Sequence, residues 1–187
     1  MVLPDCLGPV NAIIGYFVRN EKVYSAAKSG KINKYIKEGE LIKKNTSVLE
    51  ITGENAAEIN SKYEKIISEL GSNMICDSSY KSKAEGIVSY YTDGCESIFT
   101  PEKMQKMTFE SVKNKIVNSV VSLDRKTAVK GEPIFKIIDR SCWYFLCWID
   151  SSNAKRYITG KTITIAFDDN DNISADEASW IVLEYVD

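Results

Sequence analysis

Two glycine-bounded segments, far apart in the chain, repeat one pattern. The first runs Ser29-Gly30-Lys31-Ile32-Asn33-Lys34-Tyr35-Ile36-Lys37-Glu38-Gly39. The second runs Glu85-Gly86-Ile87-Val88-Ser89-Tyr90-Tyr91-Thr92-Asp93-Gly94. Each opens on a residue pair ending in glycine, passes through a strand with apolar positions, and closes on an acidic residue and a glycine. Another strand-like stretch follows each. A duplicated strand–turn unit constrains the chain to a fold of two interlocking halves. Whatever lies between the halves is then an insertion.

The local pattern around the first copy is β throughout. Ala12 to Val18 and Lys22 to Ala26 read as strands, rich in Ile, Val, Tyr and Phe. Gly30 to Ile36 is the next strand, and Glu38-Gly39-Glu40 a turn in which glycine takes a positive φ at little cost. Leu41 to Thr46 leads into a short strand at Val48 to Ile51. The second copy is followed by helix starts at Thr100-Pro101-Glu102 and at Thr108, the latter carrying Val112 and Ile116 on one face. Val117 to Leu123 is β-branched and suits a strand. Lys130-Gly131-Glu132-Pro133 is a turn before the strand Ile134 to Ile138.

Between the copies the period changes. Ile59, Tyr63, Ile66 and Leu70 are spaced four, three and four, which places them on one face of a helix. Gly71 closes that helix as its C′ residue. The stripe suits packing on the sheet, or presentation to a partner. Gly71 to Lys83 has few apolar residues and reads as a loop.

Asp139-Arg140-Ser141 reads as a boundary. Beyond it Trp143 to Ile149, Thr162 to Phe167 and Trp180 to Tyr185 are strands, Asn153 to Tyr157 a helical turn, and Asp168 to Asn172 a polar hairpin loop. Trp143, Tyr144, Phe145 and Trp148 read as core of a second β-domain.

Composition narrows the chemistry. Of 187 residues 44% are hydrophobic and 27% charged, a globular profile. The net charge is -2, and no basic cluster interleaves with aromatics, so no nucleic-acid partner is expected. The chain has no histidine, which removes Ser-His and Cys-His catalysis and His-ligated zinc. Cys6, Cys76, Cys95, Cys142 and Cys147 form no C-x-x-C pair, and an odd, scattered set argues against a disulfide framework. Cys142 and Cys147 read as packing residues on opposite strand faces. Asp168 to Asn172 fails the EF-hand pattern, with Ile173 and Ser179 where glycine and glutamate belong. Glu38 and Glu40 read as surface charge. No catalytic, cofactor-binding or metal residue is assigned, and no apolar run is long enough to span a bilayer.

Val23 to Ile51 resembles half of a lipoyl or biotinyl-type domain, through Ser29-Gly30, the strand to Ile36, Glu38-Gly39 and Val48-Leu49-Glu50-Ile51. Ala84 to Ile138 resembles the other half, through Glu85-Gly86-Ile87-Val88 and Lys130-Gly131-Glu132-Pro133-Ile134-Phe135-Lys136-Ile137. A lipoyl-like domain split by a helical insertion resembles the barrel-sandwich hybrid of HlyD-like membrane fusion proteins, the periplasmic adaptor subunits of efflux and secretion systems. Ser89 to Gly94 with Thr100-Pro101 looks most like their Gram-positive, RND-related branch. Trp143 to Tyr185 resembles the adaptor β-barrel. The long helical hairpin common in that family is here one short helix, and Asn45 stands where many relatives have glycine.

The resemblance implies a mainly β fold with short helices. Residues 11–52 and 84–139 would be the two halves, 53–83 the inserted helix and loop, 141–187 a small β-barrel-like domain, and 1–10 a linker. It implies a non-enzymatic adaptor of a membrane-anchored envelope assembly, outside the cytoplasm. Its partners would be an inner-membrane transporter or other envelope proteins and further copies of itself. The expected partner face is Ile59, Tyr63, Ile66 and Leu70. The alternatives are a biotin or lipoate carrier and a small-ligand-binding β protein. A carrier needs a lysine at a hairpin tip, and the corresponding turn, Thr52-Gly53-Glu54, has none.

Overall fold

The computed structural model describes residues 15–53, 59–112, 120–153, 155, 157–165, 168–169, 172–173 and 178–181. The chain divides into two units, Gly15–Leu146 and Met1–Ile14 with Cys147–Asp187. The fold is mainly β with few short helices.

In the larger unit the strands of the first half are β1 (Gly15–Ser25), β2 (Gly30–Lys34), β3 (Leu41–Ile42) and β4 (Leu49–Thr52). Helix α1 (Ser61–Leu70) and β5 (Ile75–Cys76) follow. The second half holds β6 (Gly86–Ser89), β7 (Tyr91–Thr92), α2 (Pro101–Met104), α3 (Phe109–Val112), β8 (Val121–Ser122), β9 (Thr127–Ala128) and β10 (Pro133–Cys147).

Neither of the two larger sheets is built by one half alone, and the second half adds only the short β7-β8 pair by itself. The five-stranded sheet runs β3-β6-β10-β1-β5, and the three-stranded sheet β4-β2-β9. Both therefore interleave strands from the two halves. The rings of Tyr24 in β1 and Phe135 in β10 stack at 4.4 Å between centroids, in the centre of the core.

The twin segments occupy equivalent places. Gly30 and Gly86 each open a strand. Two residues on, Ile32 lies opposite Ile51 and Val88 opposite Ile137, both antiparallel. A Cβ at Gly30 would lie 2.5 Å from the Thr52 carbonyl oxygen, and one at Gly86 2.4 Å from that of Ile138. Any side chain would push two paired backbones apart, so both positions need glycine for close approach.

Several boundaries differ from those expected. β1 is one strand, not two, because polar Arg19 and Glu21 are satisfied within it: Arg19 Nε donates to Glu21 Oε1 at 2.7 Å. Asp139-Arg140-Ser141 does not interrupt β10, and the division between units falls after Leu146. Past Ile138, residues 140–143 of that strand are exposed. Cys142, expected to pack, is among them, and so is Trp143. Trp143 belongs to the larger unit, edge-on to Phe17 with Arg19 4.8 Å above its ring, and is not core of a second domain.

Other readings hold. The Gly71 N–H caps α1 by donating to the Ile67 carbonyl. Pro101 opens α2, and Thr108 Oγ1 accepts from the Ser111 N–H at the start of α3. Ile116 lies outside the described residues.

In the smaller unit β11 (Thr162–Ile165) is followed by β12 (Asp168–Asp169), β13 (Asn172–Ile173) and β14 (Ala178–Ile181). β11 pairs antiparallel with β14, Ile163 opposite Trp180. β12 and β13 form the polar hairpin expected at Asp168 to Asn172. Among the described residues no helix is long and apolar enough to cross a membrane.

Candidate functional site

The site the sequence placed on α1 is occupied by the protein itself. Tyr63, Ile66 and Leu70 are at most 2% exposed and belong to the central core. Burying Ile66 and Leu70 stabilises the fold by about 1.5–3 kcal/mol each. Ile59 is exposed but precedes the helix. The four residues thus do not form one partner-binding face, and that expectation is corrected. The apolar stripe finds its complement in the sheet, and the exposed side of α1 carries Lys62, Glu64, Lys65 and Ser68.

What the geometry builds instead is a clasp. In the first half the Gly39 N–H donates to the Val88 carbonyl at 2.9 Å, and the Val88 N–H donates to that of Glu40 at 3.0 Å. In the second half the Gly131 N–H donates to the Ala26 carbonyl at 2.8 Å, and the Ala26 N–H donates to that of Glu132 at 2.9 Å. Gly39 and Gly131 have φ of 76° and 92°, a left-handed conformation that favours glycine. Glu40 Oε2 accepts from the Lys37 N–H, and Glu132 Oε2 from the Val129 N–H. The same Gly-Glu turn thus occurs twice, and each copy is closed by a residue of the other half.

This relocates one end of the repeat. By sequence, Glu38-Gly39 corresponds to Asp93-Gly94. By hydrogen bonding it corresponds to Lys130-Gly131-Glu132. The chain from Asp93 onward is therefore a second excursion, whose base is the pairing of Tyr91 with Ser122 and Thr92 with Val121. The repeat hides it, because Asp93-Gly94 imitates the turn, although Lys130-Gly131-Glu132-Pro133 is legible as a turn in its own right.

Glu132 does more than turn the chain. Its carboxylate, 3% exposed as a side chain, also accepts from the Asn60 N–H at 2.9 Å and from Arg125 Nη2 at 3.0 Å. Arg125 donates further to the carbonyls of Leu123 and Pro133 and lies 4.3 Å above the Tyr63 ring. The Tyr63 hydroxyl donates to the Ser122 carbonyl. One buried carboxylate thus holds the start of α1, the Arg125 loop and the turn into β10 together.

A second buried ionic group lies on β10. Phe135 and Ile137 face the core, so Lys136 between them points away. Its Nζ is 3.1 Å from Glu21 Oε1 and 3.0 Å from Glu96 Oε1. Burial works against the charge, but the two carboxylates outweigh it and hold the Lys136 pKa above the ordinary lysine value. The sequence gives no ionic role to Glu96, Arg125, Glu132 or Lys136, although Glu132 and Lys136 stand in the motif of the second half. The available signal was a lysine inside the apolar run Ile134 to Ile138.

The other candidates are structural or surface groups. Of the adjacent tyrosines, Tyr90 is buried and Tyr91 exposed. The Tyr90 hydroxyl donates to the Ile36 carbonyl at 2.7 Å, and burial raises its pKa. Glu38 is exposed, yet it accepts from the Tyr90 N–H. A cleft of about 340 Å³ is lined by Lys34, Tyr35, Lys37, Glu38, Tyr91 and Asp124, and its Lys34–Asp124 pair is closed at 2.6 Å. Among the described residues no three His, Cys, Asp or Glu side chains cluster to hold a metal. At the turn after β4, Thr52 and Gly53 are exposed, and Glu54 lies outside the described residues.

Two half-motifs that complete each other's sheets and turns define a barrel-sandwich hybrid. The match to known families agrees: the model of the RND-related barrel-sandwich hybrid domain matches residues 21–139. The chain belongs to that family. Searches of the curated proteins and of the solved structures gave no match.

Proposed function

We propose that the protein is a non-enzymatic adaptor subunit, HlyD-like and of the Gram-positive RND-related type, in a membrane-anchored envelope assembly. It acts by protein–protein association outside the cytoplasm, with an efflux or secretion transporter as partner and further copies of itself in the assembly. The observation that carries this reading is the reciprocal clasp. It makes the domain of residues 21–139 a stiff joint, suited to holding other parts in fixed relation. The smaller unit, with its antiparallel pairs, would serve as the adaptor β-barrel. The exposed, charged side of α1 remains for contacts beyond the domain. Fold by itself does not fix function, so the test is physical association. The full-length protein, tagged in its native host, should co-purify from mild detergent with an integral membrane transporter. Recovery wholly in the soluble fraction, without a membrane partner, would overturn the reading.

A further inference from the structure

We propose that residues Asp93 to Met107 form a strap that opens from the sheet as a unit while the clasped halves stay folded. The strap leaves the domain after β7 and lies within the excursion closed at its base by the β7–β8 pairing. Opening it therefore breaks none of the strand pairings between the halves, though it costs the contacts of Phe99 with Tyr16 and Arg19.

The strap's buried residues stand apart from the main core. Cys95 and Phe99 are 6% and 7% exposed, yet neither belongs to the central cluster of buried apolar side chains. Phe99 stacks on Tyr16 at 4.7 Å, and its carbonyl accepts from the Arg19 N–H at 3.3 Å. Within the strap, the Cys95 carbonyl accepts from the N–H groups of Ile98 and Phe99, and Lys103 Nζ donates to the Ser97 carbonyl. The strap thus carries local hydrogen bonds of its own, which its opening does not have to break.

Against the burial of Cys95 and Phe99 stands one costly contact. Glu96, 1% exposed as a side chain, meets Lys136 through Oε1. Its Oε2 is buried and has no hydrogen-bond partner among the described residues. A buried ion pair loses much of its attraction to desolvation, and an unsatisfied carboxylate oxygen adds to that cost. Opening returns Glu96 to water and leaves Lys136 with Glu21. Segments attached in this way open locally at free energies below that of global unfolding.

The buried Cys95 thiol reports the opening. In the full chain, Cys6, Cys76, Cys142 and Cys147 are replaced by serine, and alkylation of Cys95 is followed at rising, sub-denaturing urea. Amide exchange of Val88 and Ile137 is measured alongside. The expected result is Cys95 labelling at least about tenfold faster than global opening allows, with a shallow urea dependence. Glu96→Gln and Phe99→Ala should each change the labelling rate while the Val88 and Ile137 amides stay protected. Labelling with the same urea slope as those amides, or variants that shift both together, would overturn the proposal.

Discussion

The carboxylate of Glu132 accepts a hydrogen bond from the backbone N–H of Asn60, a residue 72 positions earlier in the chain. The same carboxylate pairs with Arg125, whose guanidinium covers Tyr63. Glu132→Ala leaves a partly buried arginine without its charge partner, which costs about 3–5 kcal/mol. Equilibrium urea unfolding should show that loss, and hydrogen exchange at the start of α1 should accelerate. Glu132→Gln keeps the shape and some of the hydrogen bonds, so it should cost less.

The twin glycines give a matched pair of substitutions. Gly30→Ala and Gly86→Ala each drive a methyl onto a backbone carbonyl at about the same distance. Each should cost about 1–3 kcal/mol, toward the upper end because paired backbone must yield. Gly39→Ala meets no atom within 4 Å and suffers only from its φ of 76°. It should cost about 1 kcal/mol. Thermal melting of the three variants distinguishes crowding from backbone strain.

The helical stripe makes a third test. Leu70→Ala should destabilise the domain by about 2–5 kcal/mol, whereas Ile59→Ala should stay within about 0.5 kcal/mol. Deleting Gly53 to Asn73 with a short linker should unfold the domain, because α1 fills its core. A folded deletion variant by circular dichroism would show the helix to be dispensable.

Alkaline pH should weaken the fold. Burial raises the pKa of Tyr24, of Tyr90 and of Cys95, the last from 9.0 to about 12. Lys136 is raised above 10.5 despite its burial, through Glu21 and Glu96. A group with a higher pKa in the folded chain adds stability below its unfolded value and loses it as pH climbs through the folded one. Stability should therefore decline from about pH 9 upward. Lys136→Met should start from a lower stability at neutral pH and fall less steeply above about pH 10.5. Denaturant titrations across this range measure both slopes, and equal slopes would remove Lys136 from the account.

The sequence disclosed the halves because glycine and strand alternation are local. Gly30, Gly86 and the α1 stripe were all placed by spacing within a few residues. The direction of that stripe was not legible, since period 3.6 marks an apolar face without saying what covers it. The clasp was hidden for a related reason. Glu132 meets Asn60, and Lys136 meets Glu21 and Glu96, only after the sheets have formed. Such charges look like any solvated residue until the fold brings them together. Asp93-Gly94 misled in the opposite way, by copying a turn that the chain makes at Gly131.

The exchange of turn partners also fixes the order in which the molecule can come into being. The Gly39 turn waits for Val88, and Ala26 waits for Gly131. A nascent chain released up to Thr52 holds the first half's strands, yet none of these bonds can close. Folding is then a late event of high contact order, completed only when residues near 138 have left the ribosome. The same dependence makes the domain a natural candidate for reconstitution from two separately made pieces.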